Sequence, residues 1–211
     1  MKVITAESAG FCFGVRRAVS ICEKTAETFP ESFTLGPIIH NEHVTSELQR
    51  KGVRAVADIS EIPPGSAVII SSHGIGKNEH AALAATGANI IDATCPDVKR
   101  IHNIVSEESA GGRLPVIIGE RSHPEITAIL GWSDSGEAFE TAEELEKWLN
   151  TDGNSQKPVS VVFQTTNTQT IYASCVEILK KVCTNYKVFD TICVLRSNAR
   201  KRLRNYRKSR M

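Results

Sequence analysis

Three of the six cysteines directly follow segments with the character of a β-strand. Cys12 follows VITAESAGF, Cys95 follows NIIDAT, and Cys193 follows YKVFDTI. Pro96 suits the first position of a helix, which needs no backbone N–H donor. A helix beginning there would point its positive end at the Cys95 thiol, which we expect to lower the pKa of that thiol. Because ligands collect at the carboxyl ends of strands in open α/β sheets, the three thiols are expected to converge.

Three thiolates from distant parts of a chain suit two kinds of metal centre. One is an iron–sulfur cluster with one iron left open, and the other is a Cys₃ zinc site. The sequence contains no Cys-x-x-Cys pair, and the spacing alone leaves iron and zinc undecided. The remaining cysteines, Cys22, Cys175 and Cys183, lie on apolar helical stripes and are expected to be buried core residues.

Three histidines also follow segments of strand-like sequence. His40 ends GPIIH, His73 follows VIISS, and His123 lies in SHPE. Imidazoles at the rim of a cleft can bind a phosphate-bearing ligand or a metal. Glu125 adds a carboxylate that could deliver protons, and the Thr165 hydroxyl could relay them. The other histidines, His43, His80 and His102, stand in polar helical contexts and are expected to lie at the surface.

Strand-length apolar runs alternate with helical patterns along the chain, which favours an α/β fold with parallel sheets and helices outside. Helices are predicted over about residues 13–29 and 168–183. A weak internal repeat pairs VIISSHG with VIIGERSHPE and IIDATC with VFDTIC. The repeat predicts two similar α/β units with a boundary near residue 97. The predicted strands are 33–39, 66–72, 89–92, 115–119 and 159–166.

The bulk composition favours a globular protein and excludes several other classes. The chain has 211 residues, of which 41% are hydrophobic, and it lacks an apolar run of the ~18 residues that a membrane span needs. Its start also lacks the long apolar stretch of a secretory signal. We therefore expect a soluble, cytoplasmic protein without a membrane partner.

The charge is distributed unevenly along the chain. Residues 196–211 contain eight basic residues and no acidic one, which leaves 17 basic against 24 acidic residues before them. Such a tail could bind nucleic acid non-specifically, with the rest of the chain as a scaffold. The tail offers no aromatic residue except Tyr206, and no recognised binding fold accompanies it, so the pattern does not favour nucleic acid as a partner.

Seven motifs, in this order, resemble those of the 4-hydroxy-3-methylbut-2-enyl diphosphate reductase family, also called LytB or IspH, over roughly residues 1–193. The resemblance implies a trefoil of three α/β units around a [4Fe-4S] cluster. It also implies the reductive removal of a hydroxyl from an allylic diphosphate, which gives isopentenyl and dimethylallyl diphosphates in the methylerythritol phosphate pathway. The electron donor in this family is a ferredoxin or a flavodoxin. The motifs are ESAGFCFGVRRAV, TLGPIIHNEHV, SSHGIG, DATCPDVKRIH, GERSHPEITAILGW, VFQTTNT and FDTIC.

Carried over motif by motif, the resemblance assigns roles to eight residues. The cysteines would bind the cluster, the histidines would contact the substrate diphosphate, Glu125 would supply protons, and Thr165 would position the substrate hydroxyl. The cluster ligands would be Cys12, Cys95 and Cys193, and the diphosphate ligands His40, His73 and His123.

The sequence departs from the family pattern after Cys193. The family continues with a third unit that contributes a Ser-x-Asn motif, and VLRSNARKRLRNYRKSRM has no evident counterpart of it. The predicted organisation is a first unit over 1–96, a second over 97–190, and a truncated third unit with an aberrant basic tail over 191–211. A frameshift and a genuine truncation both explain this tail. An incomplete cleft would expose the cluster to water, so we expect little or no reductase activity from the chain.

Overall fold

The computed structural model describes residues 10–193. Within them, eight strands form two parallel four-stranded sheets. In space the first sheet has the order β2-β1-β3-β4 and the second β6-β5-β7-β8, so the chain follows the same path twice. The strands are β1 Ser32–Leu35, β2 Val53–Val56, β3 Ala67–Ile70, β4 Asn89–Asp92, β5 Leu114–Ile118, β6 Glu137–Phe139, β7 Val159–Phe163 and β8 Tyr186–Val188.

Seven helices connect or flank these strands in the described part of the chain, and the ones at the site begin at identifiable caps. The Asn41 side chain accepts a hydrogen bond from the Val44 backbone N–H at the start of α2. Pro96 opens α4 and Pro124 opens α5, where the missing N–H costs nothing. The helices are α1 Phe13–Thr28, α2 Glu42–Arg50, α3 Lys77–Ala85, α4 Pro96–Ala110, α5 Pro124–Leu130, α6 Ala142–Leu149 and α7 Gln169–Val182.

Each sheet is buried on both faces, because successive strand side chains point to opposite sides. On β3, Ile69 packs with the cluster that contains α1 and α2 residues, whereas Val68 and Ile70 pack with the cluster that contains α3. On β5, Ile117 faces α4 and α5, whereas Val116 and Ile118 face α6 and α7. Continuous apolar strands such as these are typical of parallel sheets covered by helices.

The half of the chain that forms the first sheet and the half that forms the second are in close contact where the segment after β3 meets the segment after α5. The Lys77 N–H donates to the Gly131 carbonyl over 3.1 Å, and the Trp132 indole N–H donates to the Ile75 carbonyl over 2.9 Å. A Cβ atom on Gly131 would lie only 2.7 Å from the Cα of Gly76. Glycine at both positions therefore permits the halves to approach closely.

The predicted α/β class with parallel sheets is confirmed, and the two long helices lie within one residue of their predicted bounds. The first strand is shorter than predicted, since it ends at Leu35 and the chain then turns through Gly36 at a φ of 66°. The strand predicted before Cys12 and the tail 196–211 lie outside the described residues. The division into units at residue 97 stays a prediction, although β4 ends at Asp92 and β5 begins at Leu114.

The internal repeat is real, but its predicted alignment is partly wrong. Sheet order makes β4 equivalent to β8, as the Asp-x-x-Cys motifs predicted. It makes β1 equivalent to β5, so His40 corresponds to His123, and each lies five residues beyond its strand. The segment carrying His73 therefore corresponds to the one carrying Thr165 after β7. The alignment paired β3 with β5 because both contain the residues VII. That similarity is uninformative, since buried parallel strands in general are rich in Val and Ile.

No helix in the described range 10–193 combines the length and the apolar character needed to cross a bilayer.

Candidate active site

One cavity of about 290 Å³ brings together the three cysteines, the three histidines, Glu125 and Thr165. It lies at the carboxyl ends of strands from both sheets, as expected for an open α/β fold. Its volume is near the lower end of the roughly 300–1,000 Å³ typical of small-molecule sites. The residues predicted from the sequence that line it are Cys12, His40, His73, Cys95, His123, Glu125, Thr165 and Cys193.

Helix starts position two of the thiols. Cys12 is the N-cap of α1, and Cys95 is the N-cap of α4 with Pro96 at the next position. The Cys95 N–H donates to the Ser72 carbonyl over 3.0 Å, which joins the thiol segment to the loop carrying His73. The predicted helix start at Pro96 is therefore confirmed.

The aspartates in the two Asp-x-x-Cys motifs shape the turns that present the thiols. Asp92 Oδ1 accepts the Thr94 backbone N–H at 2.9 Å, and Asp190 Oδ1 accepts the Ile192 N–H at 3.2 Å. Both are Asx turns, in which the carboxylate bonds the backbone two residues ahead. Burial opposes the ionisation of Asp92, but hydrogen bonds from Lys99 and Thr94 outweigh it and hold the pKa of this carboxyl below its ordinary value.

The predicted direction of the Cys95 pKa is wrong. Burial raises the pKa of this thiol above its ordinary value, and the backbone N–H groups of Asp97 and Val98 oppose that shift without reversing it. The helix start does act on the sulfur as predicted. Desolvation is the larger effect, because the half-buried thiolate loses more hydration than two N–H groups return.

Gly14, in the first turn of α1, leaves room for the Cys95 sulfur. A Cβ atom at this position would lie 2.6 Å from the Cys95 Sγ, which is too close for two atoms that are not bonded to each other. Sequence reasoning did not single out Gly14. An isolated glycine in a helical pattern was the available signal, since it costs helix stability and often marks a close approach.

The three imidazoles form a compact cluster at the cavity. Ring centroids are 4.8 Å apart for His40 and His73, 5.3 Å for His40 and His123, and 5.2 Å for His73 and His123. One ligand atom from each ring lies within 4.8 Å of the others. Three nitrogens at this spacing can bind one multiply charged anion or one metal ion, and the geometry alone does not choose between them.

The protonation of two rings follows from their surroundings. Burial, reinforced by His40 and His123, lowers the pKa of His73 to about 4. The His123 Nδ1 accepts the Glu125 backbone N–H at 3.1 Å, so the neutral ring carries its proton on Nε2. The cluster therefore offers N–H donors at neutral pH without the repulsion of three full positive charges.

Glu125 and Thr165 form a buried pair. Glu125 is 3% exposed and Thr165 is 8% exposed. The Thr165 N–H donates to Glu125 Oε1 over 2.7 Å, and its Oγ1 donates to Oε2 over 2.9 Å. The Thr165 carbonyl in turn accepts the Cys193 N–H at 2.9 Å. The Glu125 carboxyl group and the Cys193 segment are thus both hydrogen-bonded to Thr165.

Two further polar residues, which sequence reasoning had not assigned, also line the cavity. Gln164 Oε1 accepts the Glu120 backbone N–H at 3.0 Å, and the Ser72 Oγ donates to the Ile38 carbonyl over 3.2 Å. Both residues lie beside predicted ones, in the quoted motifs VFQTTNT and SSHGIG. Their hydrogen bonds fix the loops that carry the site, and their exposure to the cavity could not be read from periodicity.

The expectations for the other histidines and cysteines are confirmed except for His102. His43 and His80 are exposed as predicted, but His102 is only 4% exposed and stacks on Trp132 with ring centroids 5.4 Å apart. Burial lowers the pKa of His102 to about 4. The prediction failed because Trp132 and the Gly74 segment cover the His102 ring, whereas its polar neighbours Arg100 and Asn103 are exposed. Cys22, Cys175 and Cys183 are buried core residues as predicted.

The donor set fits an iron–sulfur cluster. Three thiols outside disulfides face one cavity from three separate parts of the chain, and Gly14 keeps the space beside Cys95 open. Backbone N–H groups at the start of α4 point to one of the sulfurs. Thiolate ligands, N–H donors and partial burial are the features that hold such clusters in proteins. A zinc ion would use the same three sulfurs, so the fit alone does not exclude it.

Comparison with known proteins gives a consistent family. The family model described as LytB protein matches residues 3–211, which is beyond residue 193, where the quoted motifs end. The chain is 36% identical over 214 residues to 4-hydroxy-3-methylbut-2-enyl diphosphate reductase of Alkaliphilus oremlandii, covering 99% of this chain and 74% of that protein. It is 37% identical over 198 residues to the reductase of the same name from Aquifex aeolicus, covering 92% and 66% respectively.

Solved structures of similarly named enzymes share the fold. A structure of (E)-4-hydroxy-3-methyl-but-2-enyl diphosphate reductase, the terminal enzyme of the non-mevalonate pathway, superimposes with a TM-score of 0.77 at 36% identity. The superposition includes 90% of this chain and 68% of that one. The Plasmodium falciparum reductase gives a TM-score of 0.81 at 26% identity, with 89% of this chain covering 59% of it.

Proposed function

The chain belongs to the LytB protein family, and on that premise we propose that it is a reductase of 4-hydroxy-3-methylbut-2-enyl diphosphate in the methylerythritol phosphate route to isoprenoids. Its cofactor is a [4Fe-4S] cluster, and its products are isopentenyl and dimethylallyl diphosphates. The observation that carries this proposal is the single cavity shared by three thiols, three imidazoles and the Glu125–Thr165 pair.

Cys12, Cys95 and Cys193 hold the cluster in this proposal. When bound, a cluster with three protein ligands supplies electrons and a Lewis-acidic iron for the substrate oxygen. The chain supports it by placing Cys12 and Cys95 at helix starts and by shaping the segment before Cys193 with the Asp190 turn. These devices set the direction of each thiol before the cofactor arrives.

His40, His73 and His123 bind the substrate diphosphate. The rings lie within hydrogen-bonding reach of one small anion, and His123 presents its Nε2 proton because its Nδ1 is already an acceptor. Charge-assisted hydrogen bonds to phosphate oxygens are stronger than neutral ones. The bound anion is expected to raise the pKa of His73, so that the cluster gains positive charge as the substrate binds.

Glu125 and Thr165 manage protons and position the substrate hydroxyl. Reductive dehydroxylation consumes two electrons and two protons, breaks one C–O bond, forms one C–H bond and releases water. The departing hydroxyl therefore needs a proton, and a buried carboxyl group beside a threonine hydroxyl can deliver it. Burial of this pair also limits the access of bulk water to the reacting carbon.

Anaerobic reconstitution of the purified chain with iron and sulfide tests the proposal. We expect iron and acid-labile sulfide to be incorporated, with a brown colour that Cys95→Ser removes and that the core substitution Cys183→Ser leaves in place. Stoichiometric zinc without colour, or cluster assembly in Cys95→Ser, would contradict the proposed centre.

Turnover with dithionite and methyl viologen tests the activity separately. The Aquifex aeolicus reductase is a suitable reference. The proposed function requires a measurable rate, whereas the truncated third unit predicts little or no turnover. A rate near that of the reference would overturn this second expectation. A chain that assembles the cluster but does not reduce the substrate would keep the cofactor assignment and reject the activity.

A further inference from the structure

A depression of about 290 Å³ on the surface of the first half is lined by three basic residues, Arg17 from α1 and Lys99 and Arg100 from α4. Among the residues of 10–193 that line it, Asp92 is the one acidic residue. We call this surface the cationic depression. It is separate from the thiol cavity, with which it shares no lining residue.

Two residues of the cationic depression, Arg17 and Arg100, connect it to the three thiol segments. Arg17 donates to the Thr94 carbonyl over 3.1 Å, directly before Cys95, and itself lies on the helix that Cys12 caps. Arg100 donates to the Asp190 carbonyl over 2.7 Å, three residues before Cys193. The cationic depression therefore lies on the outer side of the loops whose inner side presents the thiols.

Most of the positive charge here is not neutralised by carboxylates. Lys99 pairs with Asp92 over 2.5 Å. Arg17 and Arg100 use backbone carbonyls as their acceptors, and neither forms a salt bridge within residues 10–193. This excess contrasts with the first 195 residues as a whole, which contain 17 basic and 24 acidic residues.

A reductase of the proposed kind needs an outside source of single electrons, and electron transfer weakens steeply with distance. A carrier must therefore dock close to the thiols without entering the substrate cavity. Complementary charge steers such transient encounters and raises their association rates. Weak redox complexes also use small interfaces, below about 1,200 Å².

We propose that the cationic depression is the docking surface for an acidic one-electron carrier protein of the ferredoxin or flavodoxin class. This inference rests on the proposed function, since only a reductase requires the carrier. The basic residues attract the carrier and hold it against the backbone of the thiol segments. Residues 196–211, which follow Cys193 closely in sequence and contain eight cations, offer a competing site for the same carrier.

The first measurement is the dissociation constant of a purified oxidised bacterial flavodoxin for the cluster-loaded chain, at low salt and at about 0.15 M salt. We expect Lys99→Gln to weaken binding about threefold and Lys99→Glu about tenfold at low salt, because rim charges act mainly through steering and long-range attraction. The matched control is Lys147→Glu, an exposed cation on α6, which packs on the opposite face of the second sheet from α4. It is expected to bind like the unaltered chain.

The second measurement compares two electron sources. Turnover with reduced flavodoxin should fall in Lys99→Gln, which adds no negative charge beside Asp92, while turnover with dithionite and methyl viologen should stay unchanged. Iron content and the free energy of unfolding are measured for the same variant, so that a disturbed thiol segment is detected separately.

Several results would overturn the docking surface: no flavodoxin binding by the unaltered chain, equal weakening by Lys147→Glu, or loss of binding only when residues 196–211 are deleted. If inorganic phosphate binds in the depression without any effect on flavodoxin binding, the depression is a small-anion site instead. Failure of the proposed function is distinguishable, because it would abolish methyl viologen turnover in the unaltered chain and leave the binding constants measurable.

Discussion

Glu125 holds Thr165 at two points, accepting its backbone N–H at 2.7 Å and its hydroxyl at 2.9 Å. Each carboxylate oxygen accepts a hydrogen bond from Thr165, so the carboxyl group and the hydroxyl are held together. The Thr165 carbonyl also accepts the Cys193 N–H, which links this unit to a thiol segment. A substitution at Glu125 that keeps both hydrogen bonds can therefore affect proton delivery without displacing Thr165 or the Cys193 segment.

Glu125→Gln is expected to lower turnover by about 100-fold or more, because a positioned general acid contributes roughly that factor. The amide keeps an acceptor for the Thr165 N–H, and the threonine hydroxyl can rotate to accept from the amide nitrogen. Iron content and the free energy of unfolding should change little. The assay is methyl viologen turnover, with Glu120→Gln on the same cavity as the control. Equal losses in both variants would contradict a specific role for Glu125.

Gly14→Ala is expected to reduce iron incorporation strongly while leaving the chain folded. The new Cβ would lie 2.6 Å from the Cys95 Sγ and must displace it. Alanine in a helix is otherwise favourable by roughly 1 kcal/mol over glycine, so a loss of iron could not be attributed to a weaker helix. Iron analysis and urea unfolding measure the two effects. Gly111→Ala, where the nearest atoms are 3.4 Å away, is the matched control, and full iron content in Gly14→Ala would refute the prediction.

Local sequence signals were sufficient for the positions of several site residues. Pro96 marked the start of α4, and alternation of strands and helices placed Cys95, His73 and Thr165 at strand ends. A parallel sheet brings the ends of its own strands to one edge. Cys95 and His73 follow strands of the first sheet and Thr165 follows a strand of the second, so their convergence also depends on how the two sheets pack together. The spacing of the cysteines had left the metal undecided between iron and zinc. The motif resemblance then supplied both the iron–sulfur cluster and the roles of the residues.

Properties that depend on the packed environment were beyond the sequence. The Cys95 pKa is raised because burial outweighs the helix start, and burial is known only once both halves are assembled. His102 was expected at the surface from its polar neighbours, yet it stacks on Trp132, which lies two residues beyond the end of α5. The close approach of Gly14 to a sulfur 81 positions away is likewise a tertiary fact.

His73→Asn is expected to weaken the binding of inorganic diphosphate and to flatten its pH dependence. Burial and the neighbouring rings hold the pKa of His73 near 4 in the ligand-free chain. A bound anion raises that pKa, so binding takes up a proton and strengthens as the pH falls from 8 to 6, by at most about tenfold per pH unit for one proton. Titration calorimetry in two buffers measures the uptake. The exposed His43→Asn should behave like the unaltered chain, and an unchanged slope in His73→Asn would exclude this linkage.

His102 should make the fold sensitive to acid. Its pKa is lowered from 6.5 to about 4 by burial, so the folded state resists a proton that the unfolded chain accepts. The resulting stability is present above pH 6.5 and is lost as the pH falls towards 4. His73 shifts in the same direction and adds a similar dependence of its own.

His102→Gln removes the titrating ring and should reduce the stability lost between pH 7 and pH 5 by about 2 kcal/mol, which is the value that these two pKa limits imply. The variant is expected to be less stable than the unaltered chain at pH 7, because the stacking on Trp132 is lost, so the slope with pH is the informative quantity. Urea unfolding at the two pH values measures it. The exposed His80→Gln should keep the original slope, and a His102→Gln chain as acid-sensitive as the unaltered one would show that another group controls the loss.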